Sequence, residues 1–438
     1  MGIKVAKFGG TSLADAGQFR KVQSIVLADE ERRYIVPSAP GKRHSSDQKI
    51  TDLLYLCHAH AKEGVPFDEV FDLISSRYTG IVDELGLTIN ISAYLDDIKE
   101  KIAGGYSEDY VASRGEYLNG LILAELLGYD FIDAAEIICF NEAGVFDQEK
   151  TDEVIRKRIA DCERAVIPGF YGSKPDGAIK TFSRGGSDIT GAIVARGVGA
   201  DLYENWTDVS GFLMADPRIV NNPKPIERIT YRELRELAYM GANVLHEDSI
   251  FPVRQAGIPI NIKNTNDPEA VGTLIVPNGV DAGKAGTITG IAGRKDFTVI
   301  AIEKTLMNAE LGFGRKLLSI IESYGVSFEH MPTGIDSICL VIADDQLRGK
   351  LDSIVEDIKH QLKPDSINVF PNMAMIATVG HGMSRTPGIA AKLFGALGEA
   401  GINVRMIDQG SSEINIIIGV ETEDFEKAIR AIYWAFVE

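Results

Sequence analysis

The sequence has 438 residues, 45% of them apolar and 25% charged, a composition typical of a soluble globular protein with two or three domains. It has 45 lysines and arginines against 63 aspartates and glutamates, and the net charge of −18 argues against a nucleic-acid or anionic-membrane surface. No apolar run reaches the length of a membrane span, and the start lacks a signal-peptide core. The four cysteines are scattered, so we expect a reducing cytoplasm and no disulfide or zinc framework.

The first motif in chain order is the stretch Lys7-Phe8-Gly9-Gly10-Thr11-Ser12. It follows a short apolar run that predicts a strand, and it precedes a predicted helix over residues 14–28 that Thr11 or Ser12 would cap. Lysine, glycine N–H groups and a helix start together suit a bound anion. The Walker A spacing is absent, and a plain strand–helix turn with a surface lysine explains these six residues equally well.

Apolar runs that predict strands then alternate with periodic stretches that predict helices. The strands are expected at residues 34–36, 163–170, 200–206 and 259–263. Helices are expected to begin near residues 51, 113, 189 and 229, and residues 63–112 are mostly helical. This alternation predicts an α/β fold with an open, mainly parallel sheet between helices. Ligands bind beyond the carboxyl ends of such strands, where the sequence has Lys7, Ser38, Phe170 and Asp208.

The second motif is Ser183-Arg184-Gly185-Gly186-Ser187-Asp188, which opens a glycine- and alanine-rich helix. The glycines allow a ligand to approach the backbone, and Arg184 can hold a carboxylate through two parallel hydrogen bonds. Asp188 in the first helical turn is explained equally well as a partner of the helix dipole. Thr207-Asp208 and Asp216-Pro217-Arg218 are each explained by a simple turn as well.

The tail beyond the glycine-rich stretch 272–290 repeats itself with an offset of 401 − 325 = 76 residues, which pairs Gly325 with Gly401 and Leu317 with Leu393. We therefore expect one domain over residues 1–290 and two small α+β units over residues 291–438. The first unit is expected at about 304–370 and the second at about 371–438.

The sequence resembles the aspartate kinase family in four stretches: the two motifs described above, Thr207-Asp208-Val209, and the stretch Gln409 to Ile416. The resemblance covers essentially the whole chain. It implies an amino-acid-kinase fold followed by two ferredoxin-like ACT units, which bind an amino acid. Because the ACT pair is interlaced in this family, the strand over residues 298–303 is expected to join the second unit.

The resemblance implies transfer of the γ-phosphoryl group of ATP, with Mg²⁺, to the β-carboxylate of L-aspartate. The product is 4-phospho-L-aspartate, and the reaction is the first step of lysine, threonine and methionine biosynthesis. The implied catalytic residues are Lys7, which stabilises the transferring group, and Asp188, which orients Lys7 or the phosphates. The implied aspartate-binding residues are Ser38, Thr51, Glu116, Phe170, Arg184 and Ser187. The implied nucleotide-binding residues are Lys7, Gly9, Gly10, Thr207, Asp208, Leu213, Asp216, Arg218 and Asn243.

Two positions depart from the family pattern in the nucleotide site. Asn243 stands where many members have a lysine, and Leu213 stands where a tyrosine often packs on the nucleoside. We therefore expect weaker nucleotide binding than in those relatives.

The tail is expected to bind L-lysine as feedback inhibitor, with L-threonine as second choice, and to form a homodimer or a dimer of dimers through its ACT units. The implied effector-binding residues are Met307, Glu310, Gly312, Phe313, Gly314, Ser327 and Glu329. Two alternatives stay open: another amino-acid kinase, acting on glutamate or acetylglutamate, and a non-catalytic amino-acid sensor.

Overall fold

The computed structural model describes residues 2–159, 162–183, 185–242, 245, 247–279 and 286–437, with the backbone alone at residues 247 and 248. The chain divides into two compact units. The first comprises Met1–Phe212, Pro225–Tyr231 and Val244–Ala282, and the second comprises Leu213–Lys224, Arg232–Asn243 and Gly283–Glu438. Sequence position alone would assign the short segments 213–224 and 232–243 to the first.

The first unit is built on an eight-stranded sheet. The strands of this unit are β1 (Lys4–Phe8), β2 (Arg32–Pro37), β3 (Asp130–Phe131), β4 (Ala165–Val166), β5 (Tyr171–Ser173), β6 (Ile179–Thr181), β7 (Leu202–Thr207), β8 (Arg228–Thr230), β9 (Ile260–Asn264) and β10 (Thr273–Val276). The large sheet has the order β3-β4-β2-β1-β7-β9-β10-β8, and β5 and β6 form a separate hairpin. Only the β9–β10 pair among these described strands of the large sheet is antiparallel, so the predicted mainly parallel sheet is confirmed.

Helices surround this sheet. They are α1 (Ala16–Leu27), α2 (Ile50–Lys62), α3 (Asp68–Leu85), α4 (Ile91–Ala103), α5 (Glu108–Leu127), α6 (Ala134–Ile137), α7 (Gln148–Ile159), α8 (Gly186–Gly197), α9 (Tyr231–Tyr239, assigned to the second unit from residue 232) and α10 (Glu247–Ala256). Apolar side chains of α1 to α5 pack with β1 and β2 in one continuous core that includes Phe8, Tyr78 and Trp206. None of the helices in the described ranges is long and apolar enough to cross a membrane.

Several element ends differ from the sequence-based expectation. The side chain of Asp15 caps α1 by accepting a hydrogen bond from the Gln18 amide (2.9 Å), while Thr11 and Ser12 lie in a preceding 3₁₀ turn. The proposed cap at Thr11 or Ser12 is therefore wrong. Helix α5 begins at Glu108 because Ser107 caps it, and the strand expected over residues 163–170 is only the two-residue β4.

The second unit has one five-stranded sheet with the order β12-β11-β13-β15-β14. Its strands are β11 (Gly290–Glu303), β12 (Ser337–Ala343), β13 (Ser366–Val379), β14 (Met406–Asp408) and β15 (Asn415–Glu421), and its remaining helices are α11 (Phe313–Ser323), α12 (Asp344–Leu347), α13 (Leu351–Leu362), α14 (Ile389–Glu399) and α15 (Phe425–Phe436).

Both copies of the repeat share the long antiparallel pair of β11 and β13. The later part of β11, from Phe297 to Glu303, pairs with β12 and with the first part of β13. The earlier part, Gly290 to Arg294, pairs with Val379 to Met375, beside β15. The copies are therefore interlaced, but the strand that joins the second copy is 290–294 and not the expected 298–303.

Helix α9 is held on the second unit by buried polar contacts. The Glu233 carboxylate accepts hydrogen bonds from the Thr289 hydroxyl (2.6 Å) and the His381 amide (2.8 Å). One turn further on, Glu236 accepts a hydrogen bond from Asn415 (2.7 Å). The segment 213–224 belongs to the same unit because Ala215 and Val220 enter its apolar core. These side chains explain why the boundary between the units does not follow chain order.

Helix α8 and strand β7 of the first unit approach each other so closely at Gly191 that we expect one added methyl group to lower stability. A Cβ at Gly191 of α8 would lie 2.6 Å from the Tyr203 hydroxyl oxygen on β7, so Gly191→Ala should lower the free energy of unfolding by about 1–3 kcal/mol. The control is Gly80→Ala on α3, where a Cβ meets nothing within 4 Å and should stabilise by about 0.5–1 kcal/mol. Urea unfolding followed by circular dichroism should show opposite shifts, and equal shifts would contradict this packing.

Candidate active site

A buried ion pair lies at the centre of the parallel sheet. The Lys7 ammonium on β1 is 2.6 Å from Oδ1 of Asp188, and the Lys7 side chain is only 9% exposed. The same Oδ1 accepts a hydrogen bond from the amide of Asn205 (2.8 Å) on the neighbouring strand β7. Lys7 pairs with Asn205 in the β1–β7 register, so the sheet itself brings these groups together.

The start of α8 is positioned by its backbone and by β7. Gly185 has φ of +57° at the cap of the helix, which places Asp188 in the first helical turn. The Tyr203 hydroxyl donates a hydrogen bond to the carbonyl of Asp188 (3.1 Å). Asp188 is thus fixed both through its main chain and through its side chain.

A tight turn around Phe170 lies against the same helix start. Phe170 has φ of +82°, and its amide donates to the Thr190 hydroxyl (3.0 Å). A Cβ at Gly186 would lie 2.3 Å from the Phe170 ring, and one at Gly169 would lie 2.6 Å from Cβ of Ser187. The structure therefore places Phe170 against the start of α8, where Ser187 and Asp188 lie.

Glu116 on α5 is a buried carboxyl group with one unsatisfied oxygen. Burial raises its pKa to about 8, and hydrogen bonds from the Ala39 backbone and from Ser187 oppose that rise without cancelling it. Its Oε2 atom is buried and has no hydrogen-bond partner among the described residues. A buried acceptor of this kind is costly unless a donor reaches it.

Asn119, one turn along α5 from Glu116, is a site residue that the sequence reasoning missed. Its amide nitrogen donates to the carbonyl of Ser38 (2.7 Å), directly after β2, and its Oδ1 is a second buried acceptor without a partner in the described part of the chain. Asn205 was missed as well. A polar side chain in an otherwise apolar helix face or central strand is the signal that would have found both.

The glycine loop after β1 is held by its neighbours. The Gly9 amide donates to the Trp206 carbonyl (2.9 Å), so the expectation that this N–H faces an anion is wrong: strand pairing uses it. The Gly41 amide donates to the Gly10 carbonyl (2.8 Å), and a Cβ at Gly10 would lie 2.8 Å from the Ala39 carbonyl oxygen. The loop is therefore rigid, and glycine is required at Gly10 by close packing.

The end of β7 adjoins this loop. The Thr265 amide donates to the carbonyl of Thr207 (2.9 Å), and the Thr265 and Ser12 hydroxyls are 2.8 Å apart. Asp208 is exposed beside Thr207. Thr51, half-buried, is the second residue of α2.

Other predicted site residues belong to the second unit or lie outside the described residues. Leu213 is exposed in the second unit, and Arg218 of that unit is bound through its guanidinium to the carboxylate of Asp216 (2.6 Å). Arg184 and Asn243 lie outside the described residues.

The predicted effector loop lies in the first copy of the repeat. Met307 and Phe313 are buried, and Gly312 caps α11 with φ of +77°, followed by Gly314. Glu310 is already bound by Lys304 (2.5 Å) and Lys316 (2.7 Å), and these two ammonium groups hold its pKa below the ordinary value.

The carboxylate of Glu329, on the segment after α11, accepts a hydrogen bond from the Tyr239 hydroxyl at the end of α9. Burial, together with this bond, raises the pKa of Tyr239 to about 12. Ser327 is exposed nearby in sequence. Sequence reasoning missed Tyr239, because nothing local connects residue 239 with residue 329.

Family models match both parts of the chain. Residues 2–264 match the amino acid kinase family, and residues 376–436 match an ACT domain. Aspartokinase 3 of Bacillus subtilis is 38% identical over 450 residues, which cover 99% of this chain and 98% of the Bacillus protein.

Solved structures give the same result. Aspartate kinase of Clostridium acetobutylicum is 64% identical with a TM-score of 0.94, covering 99% of this chain and all of that one. Aspartokinase III of Escherichia coli is 27% identical, and the match covers all of both chains. Its TM-score is 0.73 for the complex with aspartate and ADP and 0.72 for the complex with lysine and aspartate. The chain therefore belongs to the aspartokinases of the amino acid kinase family and is an aspartate kinase with a C-terminal ACT domain.

Proposed function

We propose that this aspartate kinase binds the α-ammonium group of L-aspartate at Glu116 and transfers the γ-phosphoryl group of ATP beside Lys7. The observation that carries the proposal is the unpartnered Oε2 of Glu116. An ammonium group supplies the donors that this oxygen and Oδ1 of Asn119 lack, and its charge favours the ionised carboxylate.

The remaining aspartate contacts follow from the same pocket. Ser187 and Ser38 would offer polar groups beside Glu116, Phe170 would close the pocket on an apolar side, and Thr51 lies in the first turn of α2, which packs on α5. Arg184 would clamp the α-carboxylate through two hydrogen bonds. The β-carboxylate, with a pKa of about 3.9 in model compounds, is ionised at neutral pH, so no general base is needed.

Phosphoryl transfer here is a problem of bringing two anions together. Lys7 carries its charge in a nearly water-free position, where an ammonium stabilises developing negative charge more strongly than in water. Asp188 and Asn205 hold Lys7 in one orientation and so act as positioning residues.

We assign ATP as the nucleotide, and the Escherichia coli relative solved with ADP supports this assignment. In the first unit we assign nucleotide binding to Gly10, Thr207 and Asp208. The other residues that we assign to nucleotide binding are Leu213, Asp216, Arg218 and Asn243. Asp208, an exposed carboxylate beside a threonine hydroxyl, is a donor set that suits Mg²⁺, which would neutralise phosphate charge when bound.

The direct test is hydroxamate trapping of the acyl phosphate with aspartate, glutamate and acetylglutamate compared. We expect product with aspartate and ATP only. Product with glutamate or acetylglutamate at similar kcat/KM would contradict the substrate assignment.

Lys7→Ala should lower kcat by about 10²–10³-fold, because a preorganised cation at the transferring group is lost, while the KM for aspartate changes little. The matched control is Lys4→Ala on the same strand, whose ammonium instead binds Asp29 (2.8 Å). Arg184→Ala should instead raise the KM for aspartate. Steady-state kinetics of Lys7→Ala, Lys4→Ala and Arg184→Ala therefore separate the proposed catalytic role of Lys7 from the proposed substrate-binding role of Arg184. Equal small effects of Lys7→Ala and Lys4→Ala would contradict the assignment.

The KM for aspartate should depend on pH through Glu116. With a pKa of about 8 in the free enzyme, Glu116 is mostly protonated at pH 6 to 7, and binding an ammonium group requires it to ionise. The KM should therefore rise by up to about tenfold for each pH unit below 8. Glu116→Gln should give a higher KM without this dependence, whereas Glu125→Gln on the same helix should retain it.

Thermal unfolding tests the Glu116 pKa independently of activity. Because this pKa is raised, the native state holds a proton that the unfolded state releases between pH 4.5 and 8, so stability falls as pH rises through that window. The Tm gain of Glu116→Gln over wild type should therefore be larger at pH 9 than at pH 5. An equal gain at both pH values would show that the pKa is ordinary.

The second unit is proposed to bind L-lysine as feedback inhibitor, with L-threonine as second choice. The Escherichia coli relative was solved with lysine, which supports this choice. Amides at Gly312 and Gly314 suit the α-carboxylate, beside Met307, Phe313 and Ser327, and Glu329 suits a basic side chain or the α-ammonium. We also propose that copies associate through the ACT units as a dimer or a dimer of dimers.

The Tyr239–Glu329 hydrogen bond would compete with the effector, because lysine bound at Glu329 must displace the hydroxyl that ties α9 to this loop. Tyr239→Phe should therefore lower the lysine concentration for half-inhibition by several-fold, and Glu329→Ala should raise it. The control is Tyr324→Phe, which removes a hydroxyl bonded to Asp357 (2.7 Å) in the same unit. The test is to measure kinase activity while titrating lysine and threonine. If neither amino acid inhibits, the second unit has a structural role and not a regulatory one.

A further inference from the structure

Helices α4 and α5 enclose a cavity of about 350 Å³ that no proposed step of the kinase reaction uses. Its lining includes the rings of Tyr94, Tyr110 and Tyr117, the guanidinium of Arg114, and the pair of Asp97 and Lys101. Arg114 is only 5% exposed, so a full positive charge lies in the interior beside the cavity.

The charge of Arg114 has no carboxylate in direct contact among the described residues, although at longer range it opposes the rise in the pKa of Glu116. The guanidinium lies 4.5 Å from the ring centres of both Tyr110 and Tyr117, and its Nε and Nη2 atoms donate to the Ser113 hydroxyl (3.1 and 2.8 Å). No carboxylate of the described chain forms an ion pair with it, and no described atom accepts a hydrogen bond from Nη1. Aromatic faces compensate a buried cation only in part.

The remaining charges of the cavity cancel each other. The Lys101 ammonium is 2.8 Å from Asp97, and both side chains reach solvent. Asp133, which accepts a hydrogen bond from the Tyr171 hydroxyl (2.7 Å), and Glu116, which is hydrogen-bonded to Ser187, are not among the residues that line the cavity. The residues that line the cavity, among them Arg114, Lys101 and Asp97, therefore carry a net charge of one positive unit, which a monoanion neutralises and a phosphate dianion exceeds.

We propose that this cavity is a binding site for a small monocarboxylate with a flat apolar body. The guanidinium fork matches a carboxylate, and the three tyrosine rings offer apolar faces with hydroxyl groups at their edges. The site is distinct from the aspartate pocket, because Arg114 and Glu116 are two residues apart on α5 and so point to different sides of the helix.

The test is titration calorimetry of the full-length protein with benzoate as probe, with benzyl alcohol as the neutral analogue and inorganic phosphate as the dianion. We expect benzoate to bind with one-to-one stoichiometry, both analogues to bind at least tenfold more weakly, and saturating aspartate to leave benzoate affinity unchanged. Displacement of benzoate by aspartate would assign it to the substrate pocket and overturn the proposal, as would equal binding of benzyl alcohol.

Two variants test the site itself. Arg114→Gln should weaken benzoate binding at least tenfold. Because this substitution disturbs a buried group, Ala93→Trp is the second variant: residue 93 is exposed at the cavity, so a ring can cover the opening while Arg114 stays in place. Unchanged benzoate affinity in Ala93→Trp, with an unchanged Tm, would overturn the proposal. A change in sedimentation coefficient in Arg114→Gln would instead mark the face as a contact between copies and would equally overturn it.

Discussion

The placement of one buried ammonium group determines much of the first unit. Lys7 lies on a central strand of the parallel sheet, where water cannot solvate its charge, and such a charge is tolerated only with a close partner. Asp188 is that partner, so α8 must begin where its first turn reaches β1, and β7 must supply Asn205 to the same carboxylate. The tight glycines at the start of α8 follow from this requirement for close approach.

Glu116, the residue proposed to bind the substrate ammonium group, has the opposite character. Lys7 is fully matched by the protein, whereas Glu116 keeps an oxygen without a donor and a pKa far above its ordinary value. In the proposed site, Lys7 is held fixed by the protein, whereas Glu116 would be completed by the ammonium group of the ligand. Binding energy from that ammonium group would then offset a cost that folding alone leaves in place.

Local sequence patterns predicted the elements on which the motifs lie, because lysine, glycine and apolar runs act over a few residues. They failed where distant partners decide. The Gly9 amide is used by Trp206 of another strand, and β11 extends through both copies of the repeat. Asn119, Asn205 and Tyr239 were missed for the same reason: each is polar without a local motif, and its role is set by a partner far along the chain. The cap of α1 is a local miss, because Asp15 caps the amide of Gln18 three residues further on.

The assignment of α9 to the second unit has a consequence for dividing the protein. Glu233 and Glu236 depend on Thr289, His381 and Asn415, all of which follow residue 282 in the sequence. A chain ending at residue 282 would therefore lack the hydrogen bonds that Glu233 and Glu236 make with these residues, and the apolar side chains that cover Ala215 and Val220. A cut at residue 282 thus removes contacts that both α9 and the segment 213–224 use, so no single cut in the sequence separates the two units.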